Sequence, residues 1–146
     1  MRMRIITTTF WKQPRLIAAL LANCFTLDPS VLLLSHTLYV LQDKNATYGF
    51  IAVKYHSKNV LERGSLYVYP RFRGKGYGKR LMKHVLAKHK RAYVLCKLFE
   101  QPLKKKQGFK LVHKAPFALA WRRLFYNALI SSITKNKIII MCRKKS

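Results

Sequence analysis

The chain has 146 residues, half of them hydrophobic, with 30 Lys or Arg against 4 Asp or Glu and a formal net charge of +26. That length suits one domain with a buried core, and the hydrophobic share excludes a disordered polyelectrolyte. The charge makes the chain repel itself unless a polyanion is near, and RNA, DNA and anionic membrane are the usual candidates. A basic-biased proteome or a demand for solubility gives the same excess.

In chain order, Arg4 to Phe10 reads as a first strand, rich in β-branched residues. Pro14 then opens a helix through about Phe25, with proline in a tolerated first-turn position. Leu16 to Cys24 faintly resembles a signal-peptide core and Leu21-Ala22-Asn23-Cys24 a lipoprotein box, but Asn23 is too large and polar for that cleavage. The run is also short of the ~18 residues of a membrane span, so we expect a core helix and no transmembrane segment. Asp28-Pro29-Ser30 starts a second helix with Val31 to Ser35 as its body. Thr37–Gln42, Tyr48–His56 and Val60–Tyr69 read as strands, joined by turns at Asp43–Ala46 and Ser57–Asn59.

Leu66-Tyr67-Val68-Tyr69-Pro70-Arg71-Phe72-Arg73-Gly74-Lys75-Gly76-Tyr77-Gly78-Lys79 follows. An apolar strand, a proline stop, a cationic glycine turn and a helix suit a phosphate cradle, because glycines let N–H groups converge on an anion at a helix N-terminus. A P-loop is excluded, since Arg80 stands where its Ser or Thr would hold magnesium. A dinucleotide fingerprint is excluded by the alternate spacing of Gly74, Gly76 and Gly78 and by Glu100 being the only later acid. What remains is Arg-x-x-Gly-x-Gly, carried by Arg73, Gly76 and Gly78.

With that motif the chain resembles the GNAT superfamily of acetyl-CoA-dependent N-acetyltransferases. The resemblance extends through the strand Ala92–Cys96, the Gly108-Phe109 step into the next strand (Gln107–Val112), and Lys137–Cys142 as a closing strand with its methionine. It implies a mixed α/β fold of about seven strands flanked by helices, in a single domain over 1–146. It implies that Arg73, Gly74, Lys75, Gly76, Tyr77, Gly78 and Lys79 bind the CoA pyrophosphate. Main-chain groups of Leu66, Tyr67 and Val68 would then hold the pantetheine arm and thioester.

Pro116 to Ile133 reads as an added helix before the last strand, with Phe117, Trp121, Leu124, Phe125, Ala128 and Leu129 at helical spacing and Arg122, Arg123 and Asn127 on another face. An acceptor-binding wall, a homodimer surface and an ordinary packing helix are the alternatives.

Acetyl transfer needs a base for the amine and a proton for the leaving sulfur. Of the acids Asp28, Asp43, Glu62 and Glu100, Glu62 lies on the strand leading to the turn, with the parity of Leu66 and Val68; several family members carry a glutamate near this position, so Glu62 is the candidate catalytic residue. Its bland alternative is a surface partner for Arg63 or a lysine. Counting back from Gly108, Lys97 and Lys104 occupy the places where many family members have Asn and the tyrosine acid, and Pro102 interrupts that helix. The histidines His36, His56, His84, His89 and His113 are scattered, and Cys24, Cys96 and Cys142 share no metal spacing. No metal is expected, and buried thiols fit a reducing, cytoplasmic setting.

The expected function is acetyl transfer to an amine that is part of, or attached to, a nucleic acid: an aminoacyl-tRNA, a modified base in RNA or DNA, or a nucleic-acid-bound protein. An enzyme acting on a protein or small amine, and a catalytically impaired nucleic-acid-binding or regulatory module of the same descent, are the alternatives.

Overall fold

The computed structural model describes residues 3–13, 16, 18, 36–58, 60–89, 91–134 and 137–144. Of the expected helix from Pro14 to Phe25, Leu16 and Ala18 are described as helical; the rest of it, the Asp28–Ser35 helix, Cys24 and Asn59 lie outside the described residues.

Among the described residues the β-branched and aromatic runs become seven strands: β1 (Arg4–Thr8), β2 (His36–Gln42), β3 (Thr47–Ser57), β4 (Val60–Val68), β5 (Arg91–Lys97), β6 (Lys110–Leu111) and β7 (Ile138–Lys144). They hydrogen-bond in the order β1-β2-β3-β4-β5-β7-β6. β1 to β3 form an antiparallel meander, β4 meets β5 in parallel with Glu62 opposite Tyr93, and β7 runs antiparallel to both β5 and β6. The sheet is mixed, as expected. Asp43 closes the β2–β3 turn, its Oδ1 accepting the amides of Asn45 and Ala46 at 2.8 Å each.

Contacts group the chain into two compact units, Met1–Tyr55 with Arg63–His89, and His56–Glu62 with Lys90–Ser146. The first has a core of Leu38, Val40, Phe50, Ala52 and Tyr67, joined by Leu16. Helix α1 (Tyr77–Lys88) buries Leu81, Met82, Val85 and Leu86, a single helical face, and leaves Lys79, Arg80, Lys83 and Lys88 in solvent. The second core gathers Tyr93, Leu119, Ile140 and Cys142, with Val60, Leu95, Val112 and Ala115 packed against it. Cys96 and Cys142 are free buried thiols, and burial pushes the Cys142 thiol up.

Helix α2 (Gln101–Lys106) corrects one expectation. Pro102 does not interrupt it; the proline sits in the first turn, where its missing N–H costs nothing. The helix stops at Gly108, whose φ of 84° lets Phe109 turn back and donate to the Lys104 carbonyl at 3.0 Å.

Helix α3 (Phe117–Thr134) is the expected insertion, but its apolar stripe faces outward. Phe117 is 84% exposed and Trp121 62%, with Leu124 and Phe125 also in solvent. Leu119 enters the core, and the polar face turns inward: Asn127 Nδ2 donates to the Ile138 carbonyl at 3.2 Å and its Oδ1 accepts the Ile138 amide at 2.7 Å. These two bonds satisfy the first backbone groups of β7, so the helix is fixed by hydrogen bonds. An ordinary packing helix would have buried the stripe. No helix among the described residues is long and apolar enough to cross a membrane.

Two histidines give the first unit a pH dependence. His84 and His89 are both held below the ordinary histidine value, chiefly by burial and then by the Lys88 charge. Tyr39, pushed up to about 12 by burial and by its bond to Tyr55, stays a neutral neighbour 3.3 Å from His89 Nε2. A histidine with a depressed folded pKa takes its proton more readily when unfolded. Its contribution is therefore complete above about pH 6.5 and lost as pH falls through the folded value. The melting midpoint should drop between about pH 7.5 and about pH 5.5, and less so in a His84→Gln/His89→Gln chain, as read by circular dichroism. Equal midpoints for the wild type at the two pH values would contradict this.

Candidate active site

The glycine turn lies in the first unit. β4 ends at Val68, Pro70–Phe72 makes a 3-10 turn, and Arg73 leaves it extended. Gly74 and Gly76 follow with φ of 76° and 77°, a backbone region that side chains disfavour. A Cβ added at either would meet nothing within 4 Å. The glycines are therefore required by conformation and not by crowding, and the space above them is open. Gly76 starts the helix, its carbonyl accepting the Arg80 amide at 3.0 Å, and among the described residues no side chain caps the first amides of α1. Uncapped N–H groups at a helix start, with exposed Lys75 and Lys79 beside them, make an anion site.

Arg73 occupies a place that the sequence did not suggest. Its Nε donates to the Val68 carbonyl at 3.0 Å, and its guanidinium lies 5.9 Å from the Tyr67 ring centre. The side chain thus clamps the strand end to the turn, and a guanidinium has four further N–H donors for an anion. Beneath the turn Tyr48, Phe72 and Tyr77 form an aromatic triangle, with ring centres 4.8, 4.9 and 6.4 Å apart. The Tyr48 hydroxyl donates to Asp43 Oδ2, and that bond, followed by the two backbone amides, holds the Asp43 carboxyl below its ordinary range. Asp43 is a scaffold acid.

Glu62 belongs to the second unit and is 3% exposed, so it is no surface partner. Its Oε2 accepts from Arg122 Nη1 of α3 at 2.9 Å and pairs with His56 Nε2 of β3 at 2.7 Å. Arg122 Nη2 also donates to the Tyr126 hydroxyl at 3.3 Å, one turn along α3. His56, Arg122 and Tyr126 were not among the expected site residues. Arg122 and Tyr126 are readable as an i, i+4 pair, but nothing local links either to Glu62, 60 residues away.

The parity expected for Glu62 is corrected. Phe50 and His56 share a side of β3; the Phe50 ring lies 5.7 Å from that of Tyr67, while His56 meets Glu62. β4 therefore turns Glu62 and Tyr67 to one side although they stand five positions apart, an offset that strict alternation would put on opposite sides. Arg63 and the pair Leu66 and Val68 turn to the other, where Arg63 Nη1 meets the Met82 sulfur at 3.6 Å and Leu66 and Val68 lie against Gly78. One residue between Glu62 and Leu66 is extra to the alternation, as in a bulge. Lys97 opens the turn before α2, and Lys104 is buried within that helix.

The sequence model of the Acetyltransferase (GNAT) domain matches residues 35–111. Among solved structures, the chain is similar to N-acetylglutamate synthase from Neisseria gonorrhoeae complexed with coenzyme A and N-acetyl-glutamate, with a TM-score of 0.70 and 20% identity. It covers 100% of this chain and 36% of the synthase, so the chain spans about a third of that protein. The IAA acetyltransferase from Bacillus cereus ATCC 14579 superposes with a TM-score of 0.65 at 18% identity over 98% of this chain and 99% of that one. A GNAT family acetyltransferase from Elizabethkingia anophelis with acetyl-CoA bound gives 0.59 at 15% identity, over 97% of each chain. No curated protein matches.

Removing Arg122 while Glu62 stays leaves a buried carboxylate without its permanent counter-charge, a loss of about 3–5 kcal/mol where such pairs are broken from one side. Urea denaturation should show Arg122→Ala strongly destabilised. The double variant Glu62→Leu/Arg122→Met should recover most of that loss. An Arg122→Ala chain as stable as the wild type would refute the pair's structural role.

Proposed function

The chain belongs to the GNAT acetyltransferase family, and from that membership we propose that it moves an acetyl group from acetyl-CoA to an amine. The observation that carries this reading is the glycine turn: left-handed Gly74 and Gly76 lead into an uncapped helix start flanked by Lys75 and Lys79. When bound, acetyl-CoA supplies the acetyl group as a thioester. The amides from Gly74 to Lys79, including those of Gly76, Tyr77 and Gly78, would hold its pyrophosphate, with the remaining Arg73 donors and the two lysines adding charge. Main-chain groups of Leu66, Tyr67 and Val68 would align the pantetheine arm. Glu62 is the acid around which the amine-side chemistry is built.

The acceptor side of the proposal follows from the charge. We take the amine to be carried by a nucleic acid or by a protein bound to one, because +26 on 146 residues far exceeds what the few charges of CoA balance. A reducing, cytoplasmic setting goes with it. The second reading, a binding module that has lost catalysis, is supported by one specific feature: on the family resemblance, Lys104 takes the place of the tyrosine acid, and no tyrosine occurs in α2.

Transfer from labelled acetyl-CoA, screened against tRNA, DNA, polyamines and peptides, separates the two; no transfer to any amine would leave the module. In the same chain, Gly76→Ala should weaken CoA binding about tenfold by calorimetry with the circular dichroism spectrum kept, since the left-handed position costs a side chain about 1–2 kcal/mol. Wild-type affinity in that variant would remove the turn from the cofactor site. Nucleic-acid binding should fall steeply as salt rises, and a flat salt response would end the polyanion assignment.

A further inference from the structure

We infer that His56, oriented by Glu62 and Arg122, is the group that takes the proton from the acceptor amine. This rests on the acetyl-transfer reading above and assigns its base to a different atom.

Glu62 is poorly placed to meet the amine itself. It is 3% exposed, against 13% for His56 and 16% for Arg122. Its Oε2 already takes two nitrogens, at 2.7 and 2.9 Å, so an incoming ammonium would have to displace one of them to use that oxygen. A carboxylate only accepts, so the imidazole nitrogen facing it carries a proton and donates. Arg122 is cationic at any working pH and balances the carboxylate charge. His56 is therefore not needed as the counter-ion of Glu62. With Nε2 protonated, Nδ1 holds a free lone pair, and among the described residues no hydrogen bond occupies it. The charged and titratable groups gathered here are Glu62 of β4 and, from α3, Arg122 with its bonded Tyr126.

The arrangement has the logic of a catalytic triad: an acid fixes the tautomer of an imidazole, and the imidazole does the proton transfer. Near neutral pH an imidazole is better matched to that task than a carboxylate. The bookkeeping closes. The amine nitrogen bonds to the acetyl carbon as the carbon–sulfur bond breaks. The amine proton passes to His56 Nδ1, the departing sulfur takes a proton from solvent, and His56 returns its own to solvent.

Two measurements on the full chain test this. The tautomer of His56, read from long-range nitrogen–proton NMR correlations, should be the Nε2–H form; an Nδ1–H form would overturn the inference. In the transfer assay, His56→Ala should lower kcat by about a hundredfold or more, the typical contribution of a general base, with the KM for acetyl-CoA kept. Added imidazole should restore part of the rate, which a purely structural loss would not allow. His56→Gln, which keeps a polar side chain beside Glu62, guards against misfolding and should lose the same kcat without rescue. A wild-type rate in both variants, or a loss in His56→Ala that imidazole leaves untouched at wild-type CoA affinity, sinks this inference alone. A wild-type chain that acetylates no amine sinks the acetyl-transfer reading and this one together.

Discussion

One buried carboxylate organises the second unit. Moving Glu62 out of water costs several kcal/mol unless opposite charge and hydrogen bonds compensate. The compensation comes from His56 and, 60 residues later, from Arg122. That requirement explains the orientation of α3. A helix that only had to bury apolar area would have turned Phe117, Trp121, Leu124 and Phe125 inward. Instead it presents Arg122, Tyr126 and Asn127 to the unit and leaves the aromatics in solvent. Asn127 sets the helix against β7, and Arg122 then reaches the carboxylate.

The first unit works on another principle, backbone conformation. Its turn is built from two glycines with open space above them, an uncapped helix start and an arginine folded onto the end of the preceding strand. Rigidity comes from below, through the Tyr48, Phe72 and Tyr77 rings and the Asp43 bond that anchors Tyr48.

What the sequence made legible was local. Strand and helix order followed from β-branched runs, the proline stop and the helical periodicity, and the glycine turn was readable because its requirement is a backbone angle at particular residues. Four things were hidden because they depend on distant partners or on one-residue offsets. The periodicity of α3 located its apolar stripe correctly, but spacing alone does not say which face meets the core. Alternation placed Glu62 with Leu66 and Val68, and one extra residue in β4 reversed that. Pro102 looked like a breaker because the helix start lay one residue before it. His56, with no neighbour in sequence to mark it, acquired meaning only across the β3–β4 hairpin.

The position of β7 sets the order in which the chain can become a structure during synthesis. This strand is the last of the seven to be made, yet it lies between β5 and β6 in the sheet. Until residues 138–144 have left the ribosome, β5 lacks its antiparallel neighbour, the two residues of β6 have nothing to pair with, and Asn127 has no strand to hold. The meander of β1 to β3 has no such dependence on the last strand. The second unit therefore completes its sheet last, and until then a strand edge and apolar side chains stay uncovered.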